Sequence, residues 1–399
     1  MSDRSLDDWS IDGRCYACGS TGTGARCACG EPLWLDTRPV PADWPAPDEG
    51  SGCWRFARFL PTDPPEGMVA GVGGTPLLRA AALDDYAGCR LHVKDETANP
   101  TGSFKDRGTA VGVAAACEAG SEVVGTVSHG NMALSVAALA AGAGLTAVTF
   151  VPDDVPPARI ANLARFEPEI VPVAGDYGRL YHDSLAVGEE VGVPMLNSDV
   201  PLRVAGQKTV VLEILAERTP DSIVLPVSSG GNASAVWKGL RECRRGGLIN
   251  DDEVPTLHLV QSAACDPIAT AYRNGAETVE RIDPGETIAY SIANPDPPSG
   301  TRALTAARET DGTVSSVSDD AIREAVRQLS TAFGLAVEPS SATALAGLRA
   351  LCEDGIVETD DEVVLIATGT AFTEGIDADV DVPEAVPRER IGERVAALI

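Results

Sequence analysis

A lysine stands at position 105, behind Thr101-Gly102-Ser103-Phe104 and ahead of Asp106-Arg107-Gly108. Lysine can shed its proton and attack a carbonyl carbon, whereas arginine stays charged at any working pH. The chain carries 31 Lys+Arg, and only four of these are lysine: Lys94, Lys105, Lys208 and Lys238. A lysine kept where most cations are arginine is a candidate nucleophile or base. The local sequence fits that role. Asn99-Pro100-Thr101-Gly102 is a turn signal, with proline presetting one dihedral and glycine permitting positive φ. Ser103 is placed to cap a helix that continues through the small, apolar residues 109–119. Lys105 then falls in the first helical turn, where the dipole disfavours its ammonium form.

Three further turns carry polar groups of matching kind. Ser128-His129-Gly130-Asn131 offers an amide, at Asn131, that can donate to a phenolate-like oxygen. In Ser228-Ser229-Gly230-Gly231-Asn232-Ala233, glycines let the backbone approach an anion, and amides at a helix start can hold phosphate. Ala367-Thr368-Gly369-Thr370 presents the Thr368 hydroxyl to a heterocyclic nitrogen. No G-x-G-x-x-G follows a strand, so a dinucleotide fingerprint is absent. Each turn alone reads equally well as an ordinary cap or strand end. Together they suit one ligand, a phosphorylated aromatic aldehyde held by Lys105, and pyridoxal 5'-phosphate has those needs.

The elements that must position these turns alternate. Apolar strand patterns at 89–94, 123–127, 145–151, 222–227, 257–260 and 363–367 are separated by helical runs such as 133–143. Strands separated by helices form parallel sheets with right-handed crossovers, and such sheets bind ligands at the carboxyl ends of their strands. Residues 71–78 read as a loop into an edge strand. No internal repeat or low-complexity tract interrupts the pattern.

Composition sets the boundaries. At 399 residues the chain has room for two domains. Its net charge of −28, with 59 Asp+Glu, opposes nucleic-acid binding. That acidity with so little lysine reads as adaptation to a high-salt cytosol, where the Debye length shrinks to ~3 Å. No apolar run approaches the ~20 residues that span a bilayer, and residues 1–4 begin no secretory segment, so a cytoplasmic location without membrane contact is expected. Of ten cysteines, Cys15, Cys18, Cys27 and Cys29 cluster in a polar arm, with Gly19 and Gly30 after the two pairs. They could form a structural zinc knuckle or a bare Cys-rich arm. The other six are expected as small apolar core residues.

From about residue 71 to 375 the chain resembles the threonine synthase family of pyridoxal phosphate enzymes. The resemblance rests on Lys94-Asp95-Glu96-Thr97…Asn99-Pro100-Thr101-Gly102-Ser103-Phe104-Lys105-Asp106-Arg107-Gly108. It extends to Asn197-Ser198…Arg203…Gly206-Gln207-Lys208-Thr209 and to Glu338-Pro339-Ser340-Ser341-Ala342. It implies a fold-type II, tryptophan synthase β-like α/β architecture of two doubly wound domains with mostly parallel sheets, plus the Cys-rich arm. Residues 1–50 would be arm and linker, 51–104 and 201–399 the large cofactor-binding domain, and 105–200 the small domain. It further implies Lys105 as the residue bonded to the cofactor, Asn131 at the cofactor's ring hydroxyl, Ser228 to Ala233 as its phosphate loop, and Thr368 near its pyridine nitrogen. Ser198 and Arg203 map onto the family's substrate-phosphate contacts. His129, Met132 and Val200 stand where the family usually has a small residue, a threonine and an asparagine. The implied reaction converts O-phosphohomoserine and water to threonine and phosphate. A threonine/serine dehydratase or a β-replacement enzyme is the alternative in the same fold, and a non-catalytic cofactor- or metal-binding protein is the alternative outside it. The sequence leaves oligomeric state open, a homodimer included.

Overall fold

The computed structural model describes residues 13–37, 40–128, 130–153, 155, 157–174, 177–373 and 388. The arm opens with three short antiparallel strands, β1 (Gly13–Cys15), β2 (Thr21–Gly22) and β3 (Leu33–Trp34), in the order β2-β1-β3. After the 3₁₀ segment Gly52–Phe59, the chain enters β4 (Leu77–Arg79), the short helix α1 (Asp84–Ala87) and β5 (Arg90–Asp95). Helix α2 (Lys105–Glu118) then leads through β6 (Val123–Val127), α3 (Asn131–Gly142), β7 (Thr146–Pro152), α4 (Pro157–Ala164), β8 (Glu169–Val173) and α5 (Tyr177–Val191). Helices α6 (Pro201–Gln207) and α7 (Thr209–Glu217) return it to β9 (Ser222–Pro226), α8 (Gly231–Gly246), β10 (Thr256–Ser262), α9 (Pro267–Arg273) and α10 (Gly300–Glu309). The last described elements are β11 (Val314–Val317), α11 (Asp319–Thr331), α12 (Pro339–Glu353) and β12 (Glu362–Ala367).

Two parallel sheets result. The larger has the order β11-β10-β9-β12-β5-β4, with only the edge strand β4 antiparallel to its neighbour. The smaller is β6-β7-β8, parallel throughout. Strands β9 and β12 lie inside the large sheet and read as near-continuous apolar runs because helices cover both faces. One face packs Trp237, Leu240, Leu212 and Leu304 from α7, α8 and α10, and the other packs Leu345, Leu348 and Leu329 from α11 and α12. The small sheet packs against α2 and α3, joined by Cys53, Trp54, Val69 and Val72. Among the described residues no helix is long and apolar enough to cross a membrane. The expectation of an α/β chain with mostly parallel sheets holds, and β6 falls on residues 123–127 as expected. The arm's strands, β8 and β11 were not expected; their lengths or polar residues (Val314-Ser315-Ser316-Val317) give little periodicity.

Two buried charge clusters tie the layers. Arg107, fully buried, bonds Glu96 at 2.6 and 2.8 Å and Glu213 at 2.6 and 2.8 Å, while Lys94 bonds Glu213 at 2.7 Å and the Thr75 carbonyl at 2.6 Å. Two cations thus meet two carboxylates. In the second cluster Glu242 accepts from Lys208 at 2.6 Å and from Lys238, and Thr37 bonds both Glu242 and Lys208. Burial alone would raise the carboxyls of Glu213 and Glu242, but their cationic partners pull both down to about 2. Their folded values lie below the ordinary 4.5, so the stability they contribute is present above that pH and is lost as pH falls toward about 2. Replacing Glu213 with glutamine should strand Arg107 and Lys94 and cost about 3–5 kcal/mol of stability in a denaturant titration. A wild-type midpoint would contradict that role.

Candidate active site

The site lies where β5, β6, β9 and β12 deliver their carboxyl ends. Beyond β5, a 3₁₀ turn (Glu96–Ala98) and the Asn99–Gly102 turn reverse the chain. Asp106 closes this loop: its carboxylate accepts from the Thr101 amide at 2.7 Å and the Thr101 hydroxyl at 2.6 Å. The loop is then stitched to the end of β12. Phe104 N–H donates to the Thr368 carbonyl at 3.0 Å, the Ser103 hydroxyl donates to the same oxygen at 3.1 Å, and Thr370 N–H donates to the Gly102 carbonyl at 2.9 Å. Ser103 therefore does not cap α2 as expected. Phe104 occupies that position with helical dihedrals, and the Ser103 hydroxyl is spent mainly on Thr368, lying 3.4 Å from Lys105 N.

Lys105 is the first residue of α2, and its Nζ lies 4.4 Å from the Phe104 ring centroid. The residue as a whole is half-buried, yet loss of water around its amine, reinforced by the nearby Arg203, lowers its pKa to about 7. Glu338 acts weakly in the opposite direction. Lysine scarcity needs correction too. Lys94, Lys208 and Lys238 are each buried against a glutamate, whereas Lys105 forms no ion pair with a carboxylate among the described residues. The absent partner, rather than rarity, distinguishes it.

Arg203 reaches Lys105 because α2 and α6 cross in near contact. A Cβ on Gly206 would lie 2.1 Å from the Arg107 carbonyl oxygen, so only glycine permits the approach. Arg203 is fully buried; its guanidinium donates to Thr109 Oγ1 at 2.6 Å and to the Lys105 carbonyl at 3.1 Å, and its Nε has no partner among the described residues. Burial lowers its pKa to about 10, which leaves it charged at neutral pH.

On the other side, Asn131 begins α3 and donates from Nδ2 to Glu338 Oε2 at 2.9 Å, while Thr373 donates to its Oδ1 at 3.2 Å. Glu338 precedes α12, and its N–H donates to the Gly369 carbonyl at 3.1 Å. Thr368 is buried, its N–H donating to Ser341 Oγ at 2.7 Å. Asn131, Thr368 and Lys105 are thus brought together through Gly369 and Glu338. Sequence reasoning gave Glu338 and Ser341 no role. The signal was the Glu-Pro-Ser-Ser run, in which a proline at the first helical position marks Glu338 as the residue just before a helix. His129 lies outside the described residues.

Residues Ser228 to Gly230 form the turn after β9, and Gly231 to Ala233 begin the sixteen-residue helix α8. Gly230 has φ +87°, and a Cβ there would sit 2.2 Å from the Ser299 carbonyl oxygen. The Ser198 carbonyl lies against the same helix start, 2.7 Å from where a Cβ on Gly231 would be. Both side-chain polar atoms of Asn232 are buried without a partner among the described residues. A helix amino terminus with unspent amides and an orphaned buried amide is a site prepared for an anion. These residues fit pyridoxal phosphate. The phosphate end would meet residues 228–233, the ring would lie among Asn131, Glu338 and Thr368, and the aldehyde would face Lys105.

An amine of low pKa, a glycine-rich strand-to-helix turn and polar side chains at the carboxyl edge of a parallel sheet are the features that a pyridoxal phosphate enzyme requires. The family model described as pyridoxal-phosphate dependent enzyme matches residues 69–369. Threonine synthase of Methanocaldococcus jannaschii is 37% identical over 80% of this chain and 80% of its own length. That of Methanosarcina acetivorans is 36% identical over 79% of this chain and 78% of its own, and that of Mycobacterium tuberculosis 34% over 79% and 86%. The chain belongs to the threonine synthase family of pyridoxal-phosphate dependent enzymes. Among solved structures, a threonine deaminase from T.th. aligns with a TM-score of 0.61 at 27% identity, covering 77% of this chain and 94% of that one. Maize serine racemase aligns with a TM-score of 0.63 at 22% identity, over 81% and 91%, and shares the fold.

In cofactor-free protein, the rate at which added pyridoxal phosphate is captured should rise with pH through about 7 and level off above it, since only the neutral amine reacts. Arg203→Gln should move that limb to higher pH and Glu338→Gln to lower pH. Stopped-flow absorbance reads both, and a limb near 10.5 would overturn the burial argument.

Proposed function

We propose that this chain is a lyase that converts O-phosphohomoserine and water to threonine and phosphate. The observation that carries this is a low-pKa lysine flanked by a buried, charged arginine, in a chain whose β9–α8 turn is glycine-rich and leaves the Asn232 side chain without a partner among the described residues. Pyridoxal phosphate, when bound, supplies an electrophilic aldehyde and a ring that spreads negative charge from the substrate's α carbon. Lys105, with its pKa about 7, is suited to take a proton from that carbon and to handle the β proton next. The amides of the Ser228 to Ala233 segment would hold the cofactor phosphate. Asn131, held by Glu338 and Thr373, would serve the ring hydroxyl, and Thr368 would serve the pyridine nitrogen.

Arg203 and Ser198 are the groups proposed to clamp the leaving phosphate. Arginine suits such a forked contact, and Arg203 Nε is a donor without a partner among the described residues. Met132 and Val200 are both buried and apolar, so they offer that phosphate no donor from their side chains. They favour the second reading, a threonine/serine dehydratase or β-replacement enzyme, in which no phosphate need be held. The small-molecule substrate is thus an amino acid in either case. A structural zinc ion in the arm and a high-salt cytosol complete the reading, the latter supported by the net charge of −28. A homodimer is one assembly the reading allows.

Incubation with O-phosphohomoserine should release threonine and phosphate in equal amounts. Arg203→Gln should raise KM for that substrate at least tenfold, an estimate for losing a charge-assisted contact of about 1.5–3 kcal/mol. Ammonia and a 2-oxo acid formed from threonine, without phosphate release from O-phosphohomoserine, would select the dehydratase instead. Melting temperature should climb as KCl is raised to molar levels; a flat response would argue against a high-salt setting.

A further inference from the structure

The arm's four thiols converge in space although they span fifteen residues. The sulfurs of Cys15, Cys18, Cys27 and Cys29 all lie within 4.8 Å of one another. Cys15 and Cys29 are 3.6 Å apart and Cys18 and Cys27 3.5 Å, close to the ~3.8 Å edge of a tetrahedron with metal–sulfur bonds of ~2.3 Å. Cys15 with Cys18 and Cys27 with Cys29 each sit in a tight turn closed by a backbone bond, Gly19 N–H to the Cys15 carbonyl at 3.0 Å and Gly30 N–H to the Cys27 carbonyl at 2.9 Å. Four sulfurs in this arrangement select zinc over harder ions.

The knuckle is not a free appendage. Tyr16 and Trp34 pack edge-on with Trp237 of α8, at centroid distances of 5.4 and 5.1 Å. Arg26, one residue before Cys27, bonds the Gly30 carbonyl at 2.8 Å and reaches out of the arm to Asp199 at 3.1 Å and the Pro298 carbonyl at 2.9 Å. Asp199, buried and next to Ser198, also accepts from Ser299 Oγ at 2.5 Å and from Tyr181 of α5. Ser299 N–H donates to the Ser229 carbonyl at 2.8 Å, within the anion-binding turn. A continuous chain of bonds therefore runs from the knuckle's backbone at Gly30 through Arg26, Asp199 and Ser299 to the residues proposed to hold cofactor phosphate.

We propose that Cys15, Cys18, Cys27 and Cys29 bind one zinc ion, and that the folded knuckle holds Arg26 on Asp199 as a positioning residue for the Ser229–Gly230 turn and Ser198. The second half rests on the reading of that turn as the cofactor's phosphate site. Zinc binding releases the thiol protons and leaves a site of net charge −2, beside which Arg14 and Arg26 lie as cations. Zinc here is structural, since four sulfurs leave no open coordination position.

Full-length protein purified under reducing conditions should contain one zinc per chain by elemental analysis, and Cys18→Ser with Cys27→Ser should lose it. Arg26→Ala should keep the zinc but bind pyridoxal phosphate about tenfold more weakly in an absorbance titration, the scale of loss when an outer-shell partner is removed. Release of zinc by a mercurial should weaken the cofactor equally, and Arg26→Lys should restore part of the affinity. A chain that takes up no zinc even when zinc chloride is supplied overturns the metal site. Zinc-loaded Arg26→Ala with wild-type cofactor affinity overturns the coupling. If the cysteine variants fail to fold, Arg26→Ala still decides the coupling and wild-type zinc content the site. Should wild type bind zinc but no pyridoxal phosphate, the proposed function fails while the metal site stands.

Discussion

Burial withholds water from the Lys105 amine and lowers its pKa, and the influence of Glu338 does not restore its charge. Everything at this site follows from that double condition on Lys105. Three other lysines are buried more completely, and each has a glutamate as partner. Lys105 instead has an aromatic ring, a buried guanidinium behind its backbone, and a glutamate whose influence is outweighed. Burial likewise lowers Lys238 to about 7 although it bonds Glu242, so Lys105 is set apart by an amine with no ion-paired carboxylate among the described residues rather than by its pKa alone.

Holding that condition requires the loop before α2 to be rigid. It is pinned from below by Asn99, which bonds Glu96 at 2.9 Å and accepts from Gly73 N–H at 3.0 Å, so that the buried Arg107 cluster supports the turn directly. It is pinned from the side by the end of β12 through the bonds from Gly102, Ser103 and Phe104 to residues 368–370. The close α2–α6 crossing then sets Arg203. Sheet register, helix crossing and buried charge converge on the placement of one amine, and the energetic demand of the two ion clusters is met by near-complete hydrogen bonding.

Much of this was legible in the sequence. Apolar runs located six strands of the two parallel sheets, and glycine-containing turns after strands marked where ligands bind, because those turns need conformations or close approaches that only glycine supplies. Lys105, Asn131, the 228–233 turn and Thr368 each follow the carboxyl end of a strand, β5, β6, β9 and β12 in turn, as the sequence pattern implies. What sequence could not supply were pairings between residues far apart in the chain. Ser103 reads locally as a cap, yet its hydroxyl bonds Thr368, 265 positions away. The control of Lys105 by Arg203, the orientation of Asn131 by Glu338, and the contact of Arg26 with Asp199 are likewise tertiary. So is the reason for three of the four lysines. Local propensity carries turns and strands; it does not carry the partner that changes a side chain's pKa.

The central claim is that Lys105 bears the cofactor. Reduction of the cofactor-loaded protein with borohydride, followed by proteolysis and mass spectrometry, should place a pyridoxyl mass on the peptide containing Lys105 and on no peptide containing Lys94, Lys208 or Lys238. A pyridoxyl group on one of those buried lysines, or none retained after reduction, would contradict the account.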